Sequence, residues 1–532
     1  MVAQASSLRN PGPLPWAEAD RGNDLSPLTP SLSPSDGERV SAGRVRGNSW
    51  SSNQFHAFEV LTPRRLTWLP LLSALAIALA VFPAAGQAED WPRFLGPRGD
   101  GTSTETGLLD KWPAGGPPLV WDKAVGTGYS APSVRGNLLV LHHRVKRDEV
   151  VEGFDATTGK PIWRHSYPSS YVDPYGYNDG PRCTPLLTED RCYTFGAEGV
   201  LLCLELKTGK LVWQRDTNKD FDVSPAFFGV GSTPILEGNL LIAMVGGQPN
   251  CGMVAFDAAT GKTIWESVGQ KNWQGQPMIG WPGDRTVNWR KWDKQASYSS
   301  PVAATIHGQR HLFCVMRQGL VSLDPKTGAV NFSRWFQSTA NDSVNAMNPV
   351  VVDDLVFLSA AYYRVGSFLL RVKPDGKSYD EVWRSPRDLR EIDPATGQLS
   401  APVLEIHWMT PIYHAGFLYA FSGRNEPDAR LRCVELKAGK LAWDRDESWP
   451  PHSTPQPPVF GRGSFIMADG KLIALGEGGL LGLFKVNPRK LEELSRWQVP
   501  QLSYPCWAGP VLSGKRLYLR NENRLVCLNL AR

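Results

Sequence analysis

The chain has 532 residues, with 57 Lys plus Arg against 52 Asp plus Glu and a net charge of +5. With 42% hydrophobic and 20% charged residues, 51 Gly and 43 Pro, it reads as a turn-rich globular protein, which excludes a largely disordered or collagenous chain. Binding through counterion release needs clustered cations, and no long Lys/Arg block is present, so a dedicated nucleic-acid binder is excluded too.

Residues 1–60 hold Pro11, Pro13, Pro15, Pro27, Pro30 and Pro34 among Ser and Arg, with no apolar periodicity. Such a stretch buries too little surface to offset its ordering entropy, and it is read as a disordered or spurious N-terminal extension. Residues 61–88 are read as a signal peptide: Arg64-Arg65 head an apolar run, and Gly86-Gln87-Ala88 puts small residues ahead of Glu89, predicting cleavage after Ala88. Met244 is the next methionine after Met1, so translation starting near this leader would use a non-Met codon at Val60 or Leu61. Pro70 and Pro83 shorten the apolar run below the roughly 20 residues that a spanning helix needs. The first cysteine is Cys183, so no lipid-bearing cysteine flanks the cut. The expectation is export to the periplasm or beyond, with no stable membrane span, and an N-terminal segment over 89–118.

From residue 119 the chain repeats. An acidic residue, a Thr-Gly-Lys turn and a Trp eight positions after the acid recur in Asp155-Ala-Thr-Thr-Gly159-Lys160-Pro-Ile-Trp163, Glu205…Gly209-Lys210…Trp213, Asp257…Gly261-Lys262…Trp265 and Glu435…Gly439-Lys440…Trp443. Looser copies end at Phe332, Trp383 and Trp497, giving a period near fifty residues that marks a propeller or solenoid. Several copies follow a Pro, an apolar run, a Gly turn and a second apolar run, as in Thr233-Pro234-Ile-Leu-Glu-Gly238-Asn-Leu-Leu-Ile. Pro at a strand start and Gly at a hairpin turn suit short antiparallel strands, so one repeat holds the four strands of a propeller blade.

The last copy stops at Arg532 before a Trp strand can form, while Leu119-Val120-Trp121-Asp122 resembles Leu211-Val212-Trp213-Gln214. The N-terminal strand is therefore expected to complete the last blade, removing an open sheet edge. The fold expected is an all-β propeller over 119–532 with eight blades, or seven as the alternative. Trp121, Trp163, Trp213, Trp265, Trp383, Trp443 and Trp497 are assigned a structural docking role between blades. Small residues stand ten positions before four of them, at Gly153, Cys203, Ala255 and Cys433.

The Asp-x-x-Thr-Gly-Lys-x-x-Trp unit resembles the tryptophan-docking repeat of pyrroloquinoline-quinone (PQQ)-type propellers, a fold shared by quinoprotein alcohol dehydrogenases and BamB-type assembly lipoproteins. Asp90-Trp91-Pro-Arg-Phe94-Leu-Gly96-Pro97 also resembles the start of secreted propellers of this class. In the dehydrogenases the resemblance implies an axial quinone under a disulfide between adjacent cysteines, Ca²⁺ held by Glu and Asn, and an Asp base. This sequence has no adjacent cysteine pair and no C-x-x-C-H haem site, so no catalytic residue is carried over and no cofactor or metal is expected.

Cys203, Cys433 and Cys527 share one repeat position on a strand and are read as small core residues, while Cys192 and Cys203 are equidistant from the turn at Ala197-Glu198, which allows a cross-strand disulfide. His142 and His143 are neighbours expected to face opposite sides of a strand. His307 and His311 have a zinc-like spacing but straddle a hairpin turn at Gly308-Gln309, without a third ligand. The polar loops between blades supply the candidate ligand-binding set: Tyr177, Asn178, Asp179 and Arg182, then Asn341, Asp342, Asn345 and Asn348. Trp273, Trp281, Trp289 and Trp292, in the insert from Ser267 to Tyr298, are a further stacking candidate. A full repeat set without a catalytic constellation predicts a non-catalytic platform in the cell envelope, whose partner is an envelope protein or a polysaccharide. The alternatives are a diverged quinone- and Ca²⁺-dependent dehydrogenase and a carboxylate enzyme acting on polysaccharide.

Overall fold

The computed structural model describes residues 89–224, 228–273, 296–336, 344–362, 365–387, 392–449 and 458–532. The extension 1–60, the leader 61–88, Asn341, Asp342, Trp281, Trp289 and Trp292 lie outside them. The described residues fall in one compact unit, Ala84–Arg532.

They build eight four-stranded antiparallel sheets, the blades of a β-propeller. Blades 1 to 7 span 133–168, 186–216, 235–267, 302–335, 350–385, 412–446 and 463–498. Blade 8 takes three strands from 511–529, and its fourth is the N-terminal strand Leu119–Ala124, which pairs with Arg524–Asn529 in the register Trp121↔Cys527. The ring is thus closed by pairing the two ends of the propeller, which leaves no open edge at the seam.

The second and third strands carry most of the core because neighbouring blades cover both their faces; in blade 2, Leu201, Leu202, Cys203 and Leu204 have no exposed surface. The fourth strands are more exposed and pack inward through an aromatic, as in Leu211–Asp216 around the buried Trp213. The small residue ten positions earlier lies opposite it: Gly153↔Trp163, Cys203↔Trp213, Ala255↔Trp265 and Cys433↔Trp443, each followed by a bulge. The indole then leans on the Thr-Gly-Lys turn of the next blade. Trp213 Nε1 donates to Ala258 O at 2.9 Å, and its ring covers Gly261, whose φ of +71° and lack of Cβ permit the approach. Trp121, Trp265, Trp383 and Trp443 donate in the same manner to Ala156 O, Pro325 O, Leu436 O and Asn487 O.

Trp497 departs from the assigned role. Ser495, not Trp497, precedes the bulge of blade 7, and Trp497 stands two residues further on, opposite Leu481. The cause is the seam: the docking turn joins third and fourth strands, and blade 8 takes its fourth strand from the other end of the chain. Trp497 packs instead against Gly116, while Trp112 N donates to Ser495 Oγ at 2.9 Å.

The Cys192–Cys203 disulfide is also corrected. Tyr193 is the residue opposite Cys203 and Leu204 the one opposite Cys192, so the two thiols point to opposite faces and enter different cores. The two-residue turn near the spaced histidines is His307-Gly308, both at positive φ, and His311 is buried against Phe313. Trp273 is not a stacking platform, since it is buried edge-on against Trp335.

Residues 89–118 form a strap rather than a tail. Trp91 bridges Val134 of blade 1, Pro92 O accepts from Leu187 N of blade 2, and Gly101 and Ser103 pair with Met467 of blade 7. Gly101 abuts Ile412 of blade 6, and Glu105 binds the first hairpin turn of blade 8. A segment running from blades 1 and 2 to blades 6 and 7 passes across the axis, at the end where first and second strands turn.

Candidate functional site

At the opposite end of the axis, the loops from one blade's fourth strand to the next blade's first strand meet the turns between second and third strands. Their aromatic side chains form a connected rim. Trp507 lies 4.9 Å from Tyr129, 5.3 Å from Tyr177 and 5.6 Å from Trp408, measured between ring centroids. From Tyr177 the rim continues to Phe228 and Tyr298, and from Trp408 through His407 to Tyr362. These residues come from six inter-blade loops and one turn, so the fold alone brings them together.

Charged groups sit beneath the rim. Glu477, fully buried in the turn of blade 7, accepts from Arg462 Nε at 3.0 Å and Nη2 at 2.8 Å, from Arg462 N at 2.8 Å and from Trp507 Nε1 at 3.1 Å. Arg462 also donates to His407 Nδ1 at 3.1 Å and lies over the Trp408 ring. Glu522 Oε1 accepts from Tyr129 OH at 2.7 Å and Asn178 Nδ2 at 2.8 Å. Arg520, fully buried, donates to four backbone carbonyls and has its pKa pushed down to about 10 by burial.

Three titratable groups of the rim, Tyr129, Tyr298 and His407, have pKa values driven away from neutrality. Burial, then the Glu522 charge, raises the Tyr129 phenol, and burial raises Tyr298. Burial, reinforced by Arg462 and Arg424, holds His407 well below the usual imidazole range, so it is a neutral acceptor. A group suited to general acid–base catalysis has a pKa near the working pH, and these three move away from it.

Of the sequence-derived set, Tyr177, Asn178 and Arg182 reach the mouth; Arg182 pairs with Asp173 at 2.7 Å and lies over Tyr129 and Tyr171. Asp179 spends Oδ1 on Asp173 N inside its own loop. Asn345 and Asn348 are buried loop fasteners: Asn345 Nδ2 donates to Met316, Arg317 and Phe336 carbonyls, and Asn348 Oδ1 accepts from Ser300 N. Sequence reasoning missed Tyr129, Trp408, Arg462, Glu477, Trp507 and Glu522. Their signal was positional, each lying in the loop before a blade or the turn in its middle.

Among the described residues, the two carboxylates beneath the rim are already engaged by protein donors. Ca²⁺ takes six to eight oxygens, whereas the Glu477 and Glu522 carboxylates are engaged by Arg462, Trp507, Tyr129 and Asn178. The eight cysteines stand as separate buried thiols, and no three His, Cys, Asp or Glu side chains group as metal ligands among the described residues.

Eight blades tied by repeated tryptophan docking define a PQQ-like propeller, related in fold to both BamB and the quinoprotein dehydrogenases. The family model for outer membrane protein assembly factor BamB matches residues 103–275 and 147–444, and the chain belongs to that family. A curated relative, quinohemoprotein alcohol dehydrogenase ADH IIB of Pseudomonas putida, is 30% identical over 114 residues, which is 21% of this chain but only 16% of that protein. Quinohemoprotein alcohol dehydrogenase from Comamonas testosteroni superposes with a TM-score of 0.54 at 14% identity, covering 83% of this chain and 80% of that one. A europium-containing methanol dehydrogenase gives a TM-score of 0.56 at 13% identity, over 81% of this chain and 89% of its own. At these identities the likeness is one of fold.

Proposed function

We propose that this protein is an exported, non-catalytic propeller that serves as a binding or assembly platform in the cell envelope, with the aromatic rim as its contact surface. The observation that carries the reading is the rim itself: eight rings joined at an axis above the Arg462–Glu477 ion pair, with Tyr129, Tyr298 and His407 held in their neutral forms. Aromatic and Arg side chains are the usual anchors of protein interfaces and suit sugar faces as well, which fits an envelope protein or polysaccharide as partner. The BamB family supports the assembly role, and the signal-peptide pattern read in the sequence of 61–88 supports export.

The test is a titration of residues 89–532 with PQQ and Ca²⁺, following quinone absorbance and dye reduction with alcohols and sugars. The expected result is no saturable binding and no turnover, together with capture of an envelope partner that is lost in W507A. Saturable quinone binding with turnover would overturn the platform and establish the dehydrogenase.

A further inference from the structure

The strap opens at Glu89, the residue that follows the predicted leader cleavage. Glu89 N lies 3.2 Å from Glu105 Oε1. The other partners of the Glu105 carboxylate are backbone donors of blade 8, Gly514 N at 2.7 Å and Lys515 N at 2.5 Å. Glu105 is buried, and no Lys, Arg or His of the described residues forms an ion pair with it. Burial accordingly raises its pKa. The side chain of Glu89 is already engaged: Arg98 binds it in two-point fashion at 2.6 and 3.1 Å, and Ser103 Oγ and Thr104 N donate to it. Its nitrogen is therefore held in place from both sides. In the unprocessed chain that nitrogen is a peptide N–H without charge.

We propose that cleavage after Ala88 completes an ion pair, the new α-ammonium of Glu89 against the buried Glu105 carboxylate, and that this pair fastens the strap across the axis in the processed chain. The step is hydrolysis by a leader peptidase: water adds to the Ala88 carbonyl, the Ala88–Glu89 amide breaks, and Ala88 leaves as a carboxylate while Glu89 keeps the protons as an ammonium. A buried carboxylate met only by peptide dipoles is costly, and a cation at hydrogen-bond distance removes that cost. The proposal rests on the export reading for its biology, but the pair is testable without it. The charged groups near the new ammonium are the Glu89 carboxylate with its Arg98, Glu105 itself, and Lys515, whose Nζ lies over Gly107.

Residues 89–532 would be prepared with Glu89 as the first residue, and with a Gly-Ser extension before it, each with Glu105 intact or as E105Q. At pH 7 the extension is expected to lower the thermal midpoint by about 2–5 °C and to speed tryptic cleavage after Arg98 by roughly tenfold. An α-ammonium has an ordinary pKa of about 8, which pairing raises, so the advantage of the free terminus fades as pH climbs through the folded ammonium pKa, and it is lost again in acid once the Glu105 carboxyl, raised by burial, is protonated. In E105Q the extension should make no difference. Equal protection with and without the extension, or an extension effect that persists in E105Q and at high pH, would refute the ion pair. N-terminal sequencing of the exported protein decides the leader separately: a start other than Glu89 overturns cleavage after Ala88, whatever the recombinant comparison gives.

Discussion

The Arg462–Glu477 pair gives the sharpest test of how the rim is supported. Glu477 has no exposed surface and Arg462 only 6%, and four donor contacts of 2.8–3.1 Å converge on the carboxylate. Removing one member strands the other in a desolvated site, which costs about 3–5 kcal/mol. E477Q keeps the shape but turns an amide NH₂ toward Arg462 and Trp507, so it belongs at that level. R462M, which leaves the carboxylate with Trp507 and backbone donors, belongs there as well. The double variant R462M/E477Q leaves no buried charge and should cost little more than either single change, giving a coupling energy of about 2–4 kcal/mol. Urea unfolding at pH 7 reads all four corners of the cycle. Additive costs, with a coupling below about 0.5 kcal/mol, would mean that water reaches the pair and that the rim does not rest on it.

Two further outcomes follow from the blades. W213A removes a buried indole, its bond to Ala258 O and its cover over Gly261, and should cost about 3–5 kcal/mol in urea unfolding, whereas W497A, out of the docking register and partly exposed, should cost clearly less. Glu149, fully buried between blades 1 and 2, is pushed up by burial but pulled further down by His142, Tyr167 and the Ala197 N–H, so its folded pKa lies below the ordinary value. Its contribution is then complete above the unfolded carboxyl pKa of about 4.3 and is lost as pH falls through the folded value. E149Q should therefore be less stable at pH 7 and converge with the parent in acid unfolding followed by tryptophan fluorescence.

The propeller was legible because its constraint is periodic: in five blades one indole, Trp121, Trp163, Trp213, Trp265 or Trp383, meets the glycine turn of the next blade, and the chain repeats the pattern about every fifty residues. The same rule misassigned Trp497, since the turn it should meet is missing where the chain changes ends, and a Trp spaced by eye cannot reveal a two-residue offset. Cys192 and Cys203 failed in a related way. Equal distance from a turn suggested apposition, but the four-residue connection Gly196–Gly199 shifts the register by one and sends the thiols to opposite faces. The rim was only partly readable because Trp408, Arg462, Glu477, Trp507 and Glu522 obey no period. Each loop closes on the axis by its own route, and only the closed ring makes them neighbours. Asn345 and Asn348 show the converse, since polar loop residues can be spent entirely on holding the loops.

The strap gives the axis two unlike ends, and that asymmetry is itself testable. Trp91 anchors it at the blade 1 side: it is 2% exposed, exchanges two backbone bonds with Val134 at 2.8 and 3.0 Å, and its ring packs under Gly96, at φ +78°. W91A keeps the backbone bonds but empties the space beneath the turn, a loss of about 3–5 kcal/mol borne by the strap rather than by the blades. Because local opening follows local stability, tryptic cleavage after Arg98 should quicken by at least about tenfold. Protection of the blades and partner binding at the rim should stay as in the parent, since the rim lies at the other end of the axis. Unchanged protection at Arg98 would show that the strap is held by its polar contacts at Glu89 and Glu105 instead. A loss of rim binding in W91A would show that the two ends of the axis are coupled, contrary to a platform whose contact face is built by loops that the strap does not touch.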